Sequence, residues 1–398
     1  MMPTSQSPSW KISRIAVRVF VLLYFVVVLM INIFPFLGGQ YELLDFGSFY
    51  ASGLNLRQGE NPYDPDSRYV LEIDFPRVGA GGKMVNLNPP ISAMLFGFIA
   101  RFDPNPSFRI WQLVSAVLFT GVIFLLTSVY KQNMTPARFV WAFTIAALWQ
   151  TLTLGQIYVF LFLFVSLGWI LLAKKSYVLA GIAIGLAMAL KPNFMLWALF
   201  LLAAGYRMTF LASLVTSLLV SLIPVFFHGV EIYRQWLDAS ALERGTLILP
   251  GNSSLVGLGA RLNVLPLGIV VSLVLVGVLL YWLMRRTPVE SQPAEQVSAL
   301  GIIAALLASP VTWAGYTMLL LPVFFSRKDW DPLVILSAAI LTFPFGILLK
   351  LWQTSYLNFV IFGWFYGWGI LALLGDVVRN TMVTNSSQTI WSTSSRKL

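Results

Sequence analysis

The sequence has no cysteine and a single histidine, His228. Disulfides and thiol chemistry are therefore excluded, and a zinc site loses its two commonest ligand types. Charge is nearly as scarce. Only 11% of the 398 residues are Asp, Glu, Lys or Arg, where a soluble domain carries about 25%. No internal repeat is visible, which argues against the inverted-repeat transporter folds. A small-residue cleavage site is also missing after Phe36, so the first apolar run, preceded by Lys11, Arg14 and Arg18, reads as a retained helix. What fills the chain instead is apolar residue, 58% of it, in runs that recur from one end to the other. This is the composition of a polytopic membrane protein. The net charge of +10 is spread in ones and twos between those runs. Membrane orientation produces that pattern, and no nucleic-acid partner is expected.

A span needs about 20 apolar residues. Expected spans fall near 15–36, 107–130, 138–154, 156–173, 177–191, 193–205, 208–227, 266–284, 298–309, 312–325, 332–350 and 357–378, about twelve in all. The segments around 193–227 and 298–325 admit other divisions. Residues 89–101 are apolar but brief, follow Asn88-Pro89-Pro90 and are read as a re-entrant or surface segment. Orientation supports that choice. With the N-terminus in the cytoplasm, alternation puts Lys131, Arg138, Lys174, Lys175, Arg207, Arg285, Arg286, Arg327, Lys328 and Arg379 inside, as the positive-inside bias requires. A span over 89–101 would turn all of them outward.

The expected domain is single, residues 1–378. Residues 379–398, rich in Ser and Thr and ending near Arg396-Lys397, are expected to form a disordered cytoplasmic tail. Both termini then lie on the cytoplasmic side of the plasma membrane. The opposite face carries two long loops, 37–106 and 228–265, which hold most of the acids, among them Asp45, Asp64, Asp66 and Asp238. Loops of that length are usually functional, so the working surface is expected to be extracytoplasmic.

In the first loop, Asp45 opens a short helix in which Phe46, Phe49, Tyr50, Gly53 and Leu54 recur at helical spacing and which Gly59 to Pro62 end. It reads as an amphipathic juxtamembrane helix with its aromatics in the lipid boundary. That places a carboxylate at head-group level. Five other polar features fall at the same level. Asn88 precedes the re-entrant segment, and Gln156 follows Gly155 between two spans. Lys191-Pro192-Asn193 ends a span, the proline stopping the helix. Asn252-Ser253-Ser254 and Arg261 lie in the second loop, and Ser309-Pro310 to Trp313 breaks between two spans, with Tyr316 beyond. They are far apart in sequence and close in membrane depth, as a shared cleft requires.

Each feature also has a plainer reading. Asp45 fits a solvated loop acid, Lys191 a side chain snorkelling from a helix end, Gln156 a helix cap and Trp313 an interface anchor. Asn252 opens a glycosylation-type sequon, and His228 fits an interface histidine. No acidic pair has metal-ligand spacing, Asp64 and Asp66 coming nearest, and no metal or cofactor is expected.

Taken in order, Asp45-Phe46, Tyr50-Ala51, Gly59 with Pro62-Tyr63, Asn88-Pro89-Pro90, Gly155-Gln156, Ala180-Gly181 through Lys191-Pro192, Asn252-Ser253-Ser254-Leu255, Arg261-Leu262 and Ser309-Pro310 with Trp313 form a pattern. The pattern resembles glycosyltransferase family 87, the polyprenol-phosphate-mannose-dependent mannosyltransferases of the GT-C fold. The resemblance implies an all-α polytopic membrane protein, a GT-C-type bundle of about 12 transmembrane helices with amphipathic juxtamembrane helices in the long first extracytoplasmic loop. It implies an extracytoplasmic site whose general base is the aspartate after the first helix, here Asp45. It also implies a lipid-linked sugar donor, mannose foremost, a glycolipid or glycan acceptor, and an α-linked product from a β-linked donor. A phosphate leaving group needs no protonating acid, so one base suffices where glycoside hydrolysis uses a carboxylate pair.

Lys191 and Arg261 are the candidates for the donor phosphate, as point charge and as fork. Gln156, Asn88, Asn193, Asn252, Ser253, Tyr63, Trp313 and Tyr316 are the candidates for sugar and acceptor contacts. Two departures stand out. The family often has histidine after the tryptophan, where this chain has Ala314-Gly315-Tyr316, and its Asn-Gln-Ser element reads Asn252-Ser253-Ser254. Two other readings stay open at this point. One is a transporter or flippase for a lipid-linked sugar, with polar groups on broken helices near the midplane. The other is a polysaccharide polymerase or ligase using a lipid-pyrophosphate donor.

Overall fold

The computed structural model describes residues 22–32, 43–75, 80–242, 244–285 and 293–394. Helix-breaking residues, more than the apolar runs, set its element boundaries. The chain begins with α1 (Leu22–Asn32) and α2 (Leu44–Gln58), then a ribbon of β1 (Glu72–Phe75) and β2 (Ala80–Lys83), then α3 (Pro90–Ile99) and α4 (Pro104–Val129). The middle comprises α5 (Pro136–Ala142), α6 (Ala146–Leu154), α7 (Tyr158–Ala173), α8 (Tyr177–Leu190), α9 (Met195–Ala203) and α10 (Arg207–His228). The second loop holds α11 (Glu231–Leu242) and α12 (Leu255–Arg261). The last part runs α13 (Leu265–Arg285), α14 (Ala294–Ala308), α15 (Leu321–Ser326), α16 (Pro332–Leu341), α17 (Phe345–Trp352), α18 (Tyr356–Gly363) and α19 (Phe365–Ser394).

Among the described residues, α4, α10 and α13 are long and apolar enough to cross a membrane, and α16–α17 and α18–α19 add two more if each bent pair is one span. The protein is thus an integral membrane protein, but the count of about twelve continuous spans is replaced by a division into fewer long helices and many shorter apolar ones. Local chemistry explains the division. Proline cannot continue a helix, and Pro344 marks the 79° bend between α16 and α17. Phe143, Thr144 and Ile145 split the expected span 138–154 into α5 and α6. The expected span 312–325 starts as an extended turn at Trp313, continues as 3-10 helix over Ala314–Leu320 and becomes α-helical only at Leu321. Within 89–101, α3 has ten residues, about 15 Å at 1.5 Å per residue.

The core is one continuous apolar cluster with α14 at its centre, every residue from Val297 to Leu307 being buried. A helix apolar on all sides has no lipid-facing or water-facing stripe, so it belongs inside a bundle. Its C-terminal end carries the Ser309-Pro310 break to the site.

One expectation is corrected here: α2 is not amphipathic. Ten of its fifteen residues are buried, Phe46, Phe49 and Tyr50 among them. Its face of small residues packs as closely as its aromatic face: Ser48 donates to the Met84 carbonyl, and Ser52 Oγ to the Pro62 carbonyl at 2.6 Å. A Cβ at Gly53 would stand 2.2 Å from the Phe96 backbone, so only glycine lets α2 and α3 cross so closely. The amphipathic helix lies instead in the second loop. There α11 buries Ile232 and Ala239 against Leu56, Tyr63 and Ala93 of the first. The first loop also holds a strand pair, β1 and β2 being antiparallel with Glu72 opposite Lys83. The last helix, α19, runs to Ser394.

Candidate active site

Asp45 sits in the first turn of α2. The residue before it, Leu44, has φ 43°, a left-handed conformation that is costly for a side chain with a Cβ and that tends to mark constrained sites. The α6–α7 turn brings Gln156 to this point. Gly155 caps α6 at φ 70°, and a Cβ there would lie 2.6 Å from that of Phe46 and 2.7 Å from the Phe108 ring. Glycine therefore does two things at once: it takes the left-handed turn, and it lets the turn press onto α2. Gln156 Nε2 then donates a hydrogen bond to Asp45 Oδ2.

Lys191 arrives from the opposite wall. It caps α8 in an extended conformation, its N–H donating to the Ala187 carbonyl at 2.9 Å, and Pro192 turns the chain away. Its Nζ lies 5.5 Å from the centre of the Tyr316 ring, which in turn packs on Tyr158 at 4.3 Å between centroids. Asn88 comes from the segment before α3. Asn86 Oδ1 accepts from Asn88 N at 3.0 Å and Asn88 Nδ2 at 2.9 Å, which fixes the Asn88 amide and leaves its Oδ1 buried with no partner among the described residues. Buried acceptors are nearly always satisfied, so this atom is poised for a ligand hydroxyl or water.

These residues meet. Asp45, Ser48, Asn88, Gln156, Lys191, Thr246 and Trp313 line one polar pocket. An apolar pocket adjoins it, walled by Leu44, Leu71, Ile73, Leu154, Leu249, Pro250, Phe345 and Leu349, and the two share Asp45, Met84, Gln156, Tyr158 and Trp313. Burial in this setting raises the Asp45 carboxyl to about 6, against the lowering pull of the Gln156 hydrogen bond and of the Lys191 charge.

The other candidates stand behind the walls. Tyr63 is buried and donates through its hydroxyl to the Asn88 carbonyl at 2.9 Å. Tyr316 is buried beneath Lys191. Asn193 points at α14, its Nδ2 3.4 Å from the Ala305 carbonyl. Asn252, Ser253 and Arg261 form a knot facing inward. Asn252 Oδ1 accepts from Ser254 N, Ser254 Oγ and Thr312 N, while its Nδ2 donates to the carbonyls of Leu247 and Pro310. Ser253 N donates to the Thr312 carbonyl at 2.6 Å. The Arg261 guanidinium is 1% exposed and donates to the carbonyls of Ile248, Leu249 and Asn252. With its fork committed to three carbonyls, Arg261 is not placed to hold a donor phosphate. It clamps the loop that walls the apolar pocket.

Several lining residues were not singled out in the sequence. Ser48 lies one helical turn from Asp45 on the same face, a spacing that is readable. Tyr158, two residues past Gln156, and Gln150, buried in the apolar pocket with an Oε1 that has no partner among the described residues, carry a weaker signal. Thr246 carries none. Among the described residues no cluster of three or more His, Asp or Glu could hold a metal ion, and Asp66 pairs with Lys83.

The sequence model of glycosyltransferase family 87 matches residues 86–310, more than half of the chain. The chain belongs to glycosyltransferase family 87. No curated protein and no solved structure matches it. As a family 87 protein it is a membrane glycosyltransferase, an enzyme with a sugar donor and an acceptor as substrates. The family segment holds Asn88, Gln156, Lys191, Asn193, Asn252, Ser253 and Arg261, whereas Asp45, Tyr63, Trp313 and Tyr316 fall outside it. The polar pocket therefore joins residues from within the family segment to one carboxylate that precedes it.

Proposed function

We propose that this family 87 enzyme is an inverting transferase that moves a sugar, mannose foremost, from a polyprenyl phosphate to a hydroxyl of a glycolipid or glycan at the extracytoplasmic face. The observation that carries the reading is the pairing of pockets: a polar one holding Asp45, Gln156 and Lys191 opens onto an apolar one. A lipid-phosphate sugar has the same two halves. In this reading the isoprenoid lies along Leu71, Leu154 and Phe345, and the phosphate faces Lys191. Lysine suits that task as a mobile point charge. The sugar meets Asn88 and Trp313. Asp45 takes the proton of the acceptor hydroxyl as its oxygen bonds to the anomeric carbon. The bond from that carbon to the phosphate oxygen breaks, and the electron pair leaves with the phosphate. With a β-linked donor this gives an α-linked product. The alternation of basic turns along the chain supports an extracytoplasmic site.

The test is a transfer assay on the full chain in membranes supplied with radiolabelled polyprenyl-phosphate mannose, glucose, arabinose or galactose, with linkage analysis of the product. One phosphate-linked donor is expected to give an α-linked product, and Asp45→Asn to lower the rate by about 10²–10⁴-fold, the range for a general base. Wild-type transfer by Asp45→Asn would remove the base from the reading. Turnover only with pyrophosphate-linked donors would make it a polymerase or ligase, and donor crossing the bilayer without a glycosidic product would make it a flippase.

A further inference from the structure

On the far side of the 248–250 segment from Asp45 lies a second cavity, of about 470 Å³, within the usual range of about 300–1,000 Å³ for small-ligand sites. Its lining is unusual for a membrane protein surface. Asn263 and Gln353 offer amides and Tyr356 a ring backed by the buried Phe359, while the Thr354 and Ser355 hydroxyls beside them already bond Leu351 and Asn358. The two rings are 6.3 Å apart and inclined by 26°, and Tyr356 is 61% exposed. The Asn263 and Gln353 side chains make no hydrogen bond within the described residues. Among the described residues the one ionic group at the cavity is Arg261, which is 1% exposed and turns one N–H from each of its three nitrogens to a loop carbonyl.

We infer that this cavity is a subsite for a neutral sugar residue of the acceptor glycan. The chemistry of the lining selects that occupant. A phosphate or carboxylate would find one cation there, 1% exposed and held by three loop carbonyls, and would lose most of its hydration for little direct contact. A hydrocarbon chain would leave the amides unpaired. A pyranose ring satisfies both halves of the lining: its hydroxyls answer neutral amides, and its C–H face covers an exposed aromatic ring.

Position makes the subsite part of the reaction. Ile248 lines this cavity, while the next two residues, Leu249 and Pro250, line the apolar pocket at Asp45. One thickness of chain separates them, and Arg261 holds that partition by its carbonyls. A glycan of a few residues reaches across it, with one sugar on Tyr356 and its accepting hydroxyl at Asp45. The occupant's role as acceptor rests on the transfer reaction proposed above; its binding does not.

The experiment uses the full chain in nanodiscs, with Asp45→Asn to suppress turnover and free linear manno- and gluco-trisaccharides as probes, read by saturation-transfer NMR. Trisaccharide binding is expected. Tyr356→Ala should weaken it by about fivefold to tenfold, the worth of one aromatic contact, Gln353→Ala should weaken it by less, and Tyr356→Trp should keep it. In the otherwise wild-type enzyme, Tyr356→Ala should raise KM for a long acceptor by the same factor, leaving kcat, donor KM and the KM of a monosaccharide acceptor unchanged. Absence of trisaccharide binding, or binding indifferent to Tyr356→Ala, overturns the subsite. Transfer by Asp45→Asn would instead remove the proposed base and leave the binding result standing on its own.

Discussion

Two polar clusters sit at neighbouring walls of one chamber, and they are built on opposite terms. Around Asp45 the side chains keep capacity in reserve. Among the described residues Asn88 Oδ1 is buried and unpartnered and Lys191 has no ion-pair partner within 4.0 Å, and the carboxylate takes a hydrogen bond from Gln156. Around Asn252 the capacity is used up. Its amide oxygen accepts three hydrogen bonds, its nitrogen donates two, and Arg261 closes on three carbonyls. A polar group whose bonds are all made within the protein specifies shape, whereas one with bonds left to make is available to a ligand. Residue type does not separate the two clusters; hydrogen-bond occupancy does.

The comparison breaks most sharply at Asn252. Asn252→Ala removes five hydrogen bonds and leaves buried groups such as Thr312 N unpaired, each at about 1–3 kcal/mol. The expected loss of stability is about 3 kcal/mol or more, seen as a lowered Tm in detergent, with activity lost through displacement of Trp313. If Asn252 were a sugar ligand, its replacement would raise a substrate KM and leave Tm where it was.

The same contrast shows what could be read from the chain alone. Asn88, Gln156, Lys191 and Trp313 stand beside or near Pro89, Gly155, Pro192 and Pro310, residues that stop helices by local chemistry, and Asp45 opens the helix that follows the first apolar run. Helix breaks in a membrane protein expose backbone that belongs in a cavity or a protein interior, so sequence was enough to group these five, which line one pocket. It did not reveal that Asn252 and Arg261 turn inward. Their partners are mostly backbone carbonyls and N–H groups, which nearly every residue has, and some of them, such as those of Pro310 and Thr312, are far along the chain. Burial of α2 was hidden for a related reason. Ser48 and Ser52 look like a polar face, yet small hydroxyl residues bury readily when a carbonyl is at hand, as those of Met84 and Pro62 are. The span count failed where short apolar helices pack on one another and need not cross on their own.

Lys191→Met sharpens the other side of the comparison. Under the proposed reading, donor KM should rise by about tenfold, the worth of one charge-assisted contact of about 1.5 kcal/mol. Stability should hold or improve, because a partly buried cation without an ion-pair partner is removed in favour of an apolar side chain of similar length. A fall in Tm comparable with that of Asn252→Ala would move Lys191 into the structural cluster.

The smallest effect expected is the most diagnostic for Asp45. Its carboxyl is raised to about 6 by burial, and the Gln156 hydrogen bond and the Lys191 charge each pull it down. A base works only when deprotonated, so kcat/KM should fall as pH drops through about 6 and level off above. Gln156→Leu removes a hydrogen bond that favours the charged form, so its limb must move to higher pH. Near pH 6 the variant should therefore be about threefold slower than wild type, a gap that closes as pH rises past the shifted midpoint. Lys191→Met should move the limb the same way through lost charge. A limb that stayed in place, or moved to lower pH, would mean that the titrating group is not the carboxylate Gln156 touches, and the pocket would have to be assigned another base.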